Sequence, residues 1–595
     1  MTRRLKKEFY KNFRLVVMLI AVFFTATLPI FAAEWNTNAN GDWNVNGNWT
    51  NPGTFPNAID AVADFSKLDI TANRTVSLEA DLTLGYMLLG DSSGSSRYTI
   101  QDGASGNLTF DVSSGKSSVR MLNNSGLHYL NTTMFMNDDL NIINESTTDI
   151  LYIYGPIENN GYTLTFSGNS DISVNTQGTA ILSGSGNIIV DDVYYNTRGP
   201  SHTYTGNIIL VNGAEMLVDD NNFSTGTLIL KGGVMLNYWS DTYTNTLGTG
   251  TGQISIQSGN SGISGQGSSG TRFRFNNSAA FEMVWGSTHF NPNIFVLSST
   301  RANANGDTSI ENDIDLNGSD RTIECRKENT DDGGYARLEG DIRTSSGTAG
   351  IIKKGIGVLR LSGSNSYNGT TLVDEGILEF ESSGTIGGTG RSVFVSTGAN
   401  VAARYAMDNS FLNRLAESSN VFSVCLGLNS TNDLDFGSAT GATLPNAILG
   451  VRGNRTYSGT LTPANSAYKL GGGHYGTLTV SSTLGGANSL NCYGAVTLTG
   501  TVSYSGDTSV ESGTLTVGSI NSNNATSTVT VDTGATMDLN YSGTMTVQYL
   551  YIGGTEQVPG VYGPGGNTSH AEITGTGNMN VTGALNPPGT IIQLR

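Results

Sequence analysis

The feature that most narrows the folds open to this chain is a spaced set of residues that occurs more than once. Residues 350–380 read GIIKKGIGVLRLSGSNSYNGTTLVDEGILEF. Two short strand-like runs, 358–361 and 371–373 continuing to 377–380, flank a turn that carries Gly363, Tyr367 and Gly369, and Gly376 restarts the second run. Tyr367, Gly369 and Gly376 are followed by Leu378 and Phe380; Tyr504, Gly506 and Gly513 are followed by Leu515 and Val517 at identical spacing. The step from Gly363 to Tyr367 returns as Gly500 to Tyr504. Tyr204, Gly206 and Gly213 repeat the spacing again, with Leu217 in the last apolar place, and Gly453, Tyr457 and Gly459 form a partial copy. Glycine supplies turn conformations that a Cβ forbids. The tyrosine is expected to cover the turn, and the strand after the last glycine to put Leu on one face and Thr or Glu on the other.

A period of this kind belongs to stacked architectures. The two candidates are a parallel β-helix and an array of β-sandwiches. The runs are short, no Cys-Trp-Cys framework exists, and Asn, Ser, Thr and Gly crowd the turns, where stacked turns build polar ladders. The expectation is therefore an all-β chain, a parallel β-helix. Composition agrees: 77 of 595 residues are Gly and only 13% are charged, which leaves few helix formers. Hydrophobic residues at 37% argue against disorder. From Thr75 onward, short alternating runs such as 108–110, 140–143, 151–154, 164–166 and 188–190 are separated by Gly, Asn, Asp or Ser. Residues 401–417 break the pattern, with Leu412, Leu415 and Ala416 at helical spacing and Asp408 or Asn409 as cap, so one short decorating helix is expected near 409–417.

The N-terminus reads as a targeting segment. Six Lys/Arg precede the apolar run 15–24, and Ala32-Ala33 offers a cleavage site. The alternative is an N-terminal membrane anchor, but the strictly apolar run is shorter than the ~20 residues a span needs. Removing residues 1–33 takes six basic residues and Glu8, which moves the net charge from −18 to −23. Nucleic acid and anionic membrane are poor partners for such a chain. Cys325, Cys425 and Cys492 make no metal spacing; one disulfide or three buried small hydrophobes are the readings.

Candidate sites are few. Trp35, Trp43 and Trp49 fall in WNTNANGDWNVNGNW, either stacking on sugar rings or capping the exposed end of a β-stack. Phe273, Phe275, Phe281, Trp285, Phe290 and Phe295 read as core packing or as a groove. The doublets Asp138-Asp139, Asp191-Asp192, Asp219-Asp220 and Asp331-Asp332 point to opposite faces if on strands, so turn placement is their expected role. The five histidines make no ligand spacing. Calcium nonapeptides need Asp where residues 387–392 have Ser392. No catalytic residue, cofactor or metal is assigned.

Residues 350–380 resemble the autotransporter-associated β-strand repeat, with Leu359-x-Leu361-x-Gly363, then Asn365-x-Tyr367-x-Gly369-x-Thr371 and a final Gly376-x-Leu378 strand. Residues 496–517 resemble it too, with Val502 in the usual Asn place. The blocks 409–416, 457–463 and 468–480, the Trp-rich entry and 549–583 are similar to segments of large exported proteins of this kind. The resemblance implies a right-handed parallel β-helix of the pectate-lyase-like kind, exported and often surface-exposed or secreted. Its C-terminal translocator barrel is not expected, since few residues follow 579–581, so any outer-membrane crossing would need separate machinery. The expected organisation is a signal peptide at 1–33, a Trp-rich cap at 34–74, divergent rungs at 75–345, repeat-bearing rungs at 346–583 and a tail at 584–595. The expected function is structural or adhesive, with glycans or other surface proteins as partners. Because parallel β-helices also host polysaccharide lyases and hydrolases, a carbohydrate-active or carbohydrate-binding role is the alternative.

Overall fold

The computed structural model describes residues 32–585, apart from 51–52, 92, 124, 175–181, 198–201, 219–225, 238–241, 267–269, 302–305, 328–334, 417, 438–442, 521–524, 565 and 567–569, and apart from the His474 side chain. All of the expected targeting segment except Ala32 and Ala33, which open the strand Ala32–Trp35, and most of the expected tail thus lie outside the described residues. The chain divides into two compact units, residues 1–217 with 222–226, and 218–221 with 227–595.

In the first unit the chain coils through three columns of parallel strands. One turn runs from Tyr86–Leu89 to Tyr98–Asp102 to Leu108–Phe110, and the next begins at Ser117–Met121, in register on Tyr86–Leu89. Leu82–Leu84, Leu108–Phe110 and Met134–Met136 stack the same way, which places Leu84, Phe110 and Met136 in one inward column. The alternation seen in sequence becomes the burial pattern: Ser117–Met121, Leu140–Asn144 and Leu151–Ile153 bury every second residue. Their outward positions carry Ser118, Arg120, Asn141, Ile143 and Tyr152, all but Ile143 with a polar group for the wetted face.

In the second unit fifteen described strands form one sheet, from Thr242–Tyr243 to Thr555–Glu556. All its neighbours pair in parallel except the last, where Tyr549–Ile552 meets Thr555–Glu556 antiparallel. At Val358–Leu361, Ile377–Phe380, Phe422–Leu426 and Ala447–Arg452 every residue is buried, so this part of the sheet is covered on both faces. The fold is an all-β parallel β-helix, as expected.

The abundance of Asn and Asp in the turns has a physical cause. Many of their side-chain oxygens reach a backbone N–H one turn away: Thr456 N donates to Asn429 Oδ1 at 2.8 Å, and Thr477 N to Asn454 Oδ1 at 2.9 Å. Asp341 N donates to Asp313 Oδ1 at 2.7 Å, and Asp341 Oδ1 in turn accepts from Ser364 N at 2.6 Å. Turn amides that no strand can pair are satisfied in this way.

The expected helix is a single turn, Asn409–Leu412, with Asp408 as N-cap accepting from the amides of Ser410 and Phe411. It does more than decorate the coil, because Phe411, Leu412 and Leu415 are fully buried. Cys325, Cys425 and Cys492 are buried free thiols, so the disulfide reading gives way to small core residues. Phe273, Phe275, Trp285, Phe290 and Phe295 are core as well.

Candidate functional site

The repeat is the first place to look, and its geometry is structural. Val358 pairs with Ile377 and Leu359 with Leu378, so the first strand of the motif lies directly against its last. Val496 with Leu515 and Leu498 with Val517 do the same in the second copy. One motif is therefore one full turn of the coil plus the strand that begins the next. Tyr367 and Tyr504 are buried. Tyr367 OH shares a 2.6 Å hydrogen bond with Thr371 Oγ1, and Tyr504 OH a 2.8 Å bond with Thr508 Oγ1. The tyrosine thus fills the turn from inside. It does not roof the turn from outside.

The glycines act in two ways. Gly376 and Gly513 take φ of 66° and 72°, the left-handed region. Gly369 and Gly506 are needed because a Cβ would lie 2.4 Å from the Ala349 carbonyl carbon and 2.6 Å from the Asn488 oxygen of the preceding turn. A Cβ on Gly363 or Gly500 would meet backbone at 2.1 and 2.2 Å. In the third spaced set Tyr204 is buried, Gly206 lies against Gly186 and Gly213 has φ 96°, but position 208 is Ile, so the Tyr–Thr bond is not repeated. Leu515 faces inward as expected between half-buried threonines. Leu378 does too, but Glu379, expected on a wetted face, is fully buried.

Glu379 sits between two guanidiniums. Arg360 Nε lies 2.9 Å from Glu379 Oε2, and Arg452 pairs with Oε1. Tyr335 faces the Arg360 guanidinium at 3.7 Å, and Tyr475 faces Arg452 at 5.7 Å. The two guanidiniums share Glu379, and Glu381 Oε2, 3.7 Å from Arg360, supplies the second carboxylate that balances them. Lys353 is also buried; its ammonium donates to the carbonyls of Gly355 and Glu375, and burial draws its pKa down to about 8.

The sugar-stacking reading of Trp35, Trp43 and Trp49 is corrected here. Their exposures are 1%, 0% and 3%, and all three rings pack on Phe65 within 5.6 Å. Rings sealed against the first strands offer no face to a ligand. Trp49–Thr50 pairs antiparallel with Ala32–Trp35 and ends that sheet.

The aspartate doublets serve turns. Asp138 accepts from Val112 N and Asp139 from Thr163 N, both at 2.8 Å, and Asn212 donates to Asp191. Asp219-Asp220 and Asp331-Asp332 lie outside the described residues. Among the described residues no three His, Cys, Asp or Glu gather to hold a metal. At the Gly-rich turn 387–392, Arg414 donates to the carbonyls of Gly387, Gly388 and Gly390. His128 and His202 are buried, each accepting a backbone N–H at Nδ1, and desolvation lowers both to about 4.

Two outward surfaces carry chemistry. In the second unit a groove of about 450 Å³ crosses Thr271–Phe273, Thr308–Ile310 and Ala336–Leu338 and brings Arg272, Arg337, Asp307, Glu339 and Tyr335 together. Two carboxylates meet two guanidiniums there, and Glu311 beside them is held by Arg272 and Arg274. In the first unit Tyr129, Tyr152 and Tyr154 form a half-buried cluster, centroids 5.2–5.6 Å apart, with Arg97 4.3 Å over Tyr129. In the sequence, 151–154 reads only as a strand. The signal was the alternation itself, which puts Leu151 and Ile153 inside and Tyr152 and Tyr154 outside.

No curated protein and no solved structure matches the chain. Residues 351–380 and 494–517, the two turns closed by a buried tyrosine bonded to threonine, match the family model of the passenger-associated-transport-repeat, so the chain carries that repeat at these two stretches.

Proposed function

We propose that the chain is an exported, non-catalytic β-helix that serves structure and adhesion at the bacterial cell surface or in a secreted matrix. The observation that carries this reading is that both matched passenger repeats are complete turns of the coil, built from residues whose roles are packing and stacking. A rigid backbone of this sort holds its outward columns, Thr, Ser, Asn and Tyr among them, in fixed register, which suits repeated weak contacts to glycans or to other surface proteins. The carboxylates of the polar groove favour the same reading. A hydrolase needs two carboxyls flanking one bond, one of them keeping a proton. Glu339 lies 3.7 Å from Arg337, and Glu311 is clamped by Arg272 and Arg274, so both carboxylates are already engaged in ion pairs.

The test is expression of the full chain, epitope-tagged, followed by fractionation, protease shaving of intact cells, and adhesion and aggregation assays. The reading expects chain outside the cytoplasm and increased adhesion. Retention in the cytoplasm overturns it. So does release of unsaturated or reducing sugar ends from a polysaccharide panel by the purified protein.

A further inference from the structure

The first unit presents one column whose residues are in register over five turns, outward at the first four and covered at the last, where Ser173 is buried. Thr75 pairs with Thr99, Thr99 with Tyr129, Tyr129 with Tyr152, and Tyr152 with Ser173. The strands beneath are fixed by Leu130, Leu151 and Ile153, all fully buried. Tyrosines therefore replace small hydroxyl residues at two successive turns, and Tyr154 joins them from the same strand end. The rings meet edge-to-face or tilted, at 81°, 51° and 32°. Arg97 closes one end, its guanidinium over Tyr129 and its Nη1 donating to Tyr129 OH at 3.1 Å. Burial, then the neighbouring tyrosines and Asp171, raise the Tyr152 phenol.

We propose that Tyr129, Tyr152 and Tyr154, with Arg97, form a stacking platform for an extended neutral polysaccharide of β-linked pyranoses. Aromatic faces and edges bind the C–H faces of such rings, while phenol and guanidinium groups at the border bond their hydroxyls. The spacing fits a polymer. Successive turns stand ~4.8 Å apart, close to the advance of one pyranose along an extended β-linked chain, so a single strand meets one tyrosine per turn, Tyr129 and then Tyr152, with their planes 81° apart. Charge selects the neutral class: the protein carries −18, which repels polyuronates. Both rings are held by the sheet, so little ordering cost accompanies binding.

This inference rests on the proposed role of the outward columns as contact surfaces. Its test uses the full purified chain, with cellohexaose and xylohexaose as neutral probes and hexagalacturonate as the charged one, read by calorimetry. The variants Tyr129→Thr and Tyr152→Ser place in each ring's position a residue that the column already uses, and Tyr152→Phe keeps the ring. The expected result is binding of a neutral hexamer, weakened roughly tenfold by Tyr152→Ser or Tyr129→Thr and retained by Tyr152→Phe, with melting temperatures confirming the fold. Binding unchanged in Tyr152→Ser, no binding of either neutral hexamer, or preference for hexagalacturonate overturns it. A lower melting temperature without any change in binding assigns the rings to packing alone and also overturns it. Adhesion that persists while neutral glycans fail to bind sinks the platform and leaves the proposed function standing. Absence of the chain from the surface while the hexamers bind does the reverse.

Discussion

Tyr367 shows how far a residue's role can be read from spacing. Its recurrence was legible, because Tyr204, Tyr367 and Tyr504 hold the same distances to glycine. Its orientation was not, since a tyrosine in a Gly-rich turn can lie over the turn or inside it. The partner is Thr371, four residues on, and the equivalent Thr508 bonds Tyr504. Tyr367→Phe is expected to lower stability by about 1 kcal/mol. A double-mutant cycle with Thr371→Val, followed by urea denaturation, should show that the two losses do not add. The histidines were legible only as lacking ligand spacing. His128 and His202 titrate near 4 when folded, against about 6.5 when unfolded. Between these values the unfolded chain holds more protons, so stability is complete above pH ~6.5 and is lost as pH falls through about 4. Melting temperature measured from pH 7.5 to 4 should fall more for the wild type than for a His128→Gln/His202→Gln variant, whose side chains do not titrate.

At the scale of strands and turns, stacking decides which glycines matter. Sequence alone ranks Gly47 and Gly369 alike as turn glycines. A Cβ on Gly47 meets nothing within 4 Å, whereas one on Gly369 strikes the preceding turn. Gly369→Ala should cost about 1–3 kcal/mol as overpacking, and Gly47→Ala should leave the denaturation midpoint in place. The charged pair Arg360–Glu379 also comes from stacking, because a nineteen-residue turn sets the two residues in register. Periodicity assigned Glu379 to a wetted face; full burial of Ile377–Phe380 on both sides overrode it. Glu379→Gln is expected to destabilise by about 3–5 kcal/mol, since it removes the carboxylate that Arg360 and Arg452 share and leaves Arg360 with Glu381 at 3.7 Å, while joint replacement of Arg360, Glu379 and Arg452 by Met, Met and Leu should be close to neutral.

Across the whole chain, the fold class was legible because a β-helix writes its turn length into the sequence as spaced glycines and its interior as alternation. The outward surfaces were much less so. The Trp cluster drew attention through composition, yet it is core, whereas Tyr129 and Tyr152 became neighbours only through a 23-residue turn whose ends share no motif. The central claim is that each passenger repeat makes one closed turn in a defined register, and disulfide trapping tests it most directly. Thr497 and Thr516 are half-buried partners on adjacent turns, at the ~4.8 Å strand spacing that a disulfide spans. In the full chain, Thr497→Cys/Thr516→Cys is expected to oxidise rapidly and completely under native conditions, while the displaced pair Thr497→Cys/Thr514→Cys stays reduced. Efficient cross-linking of the displaced pair, or none in the aligned one, would contradict the account.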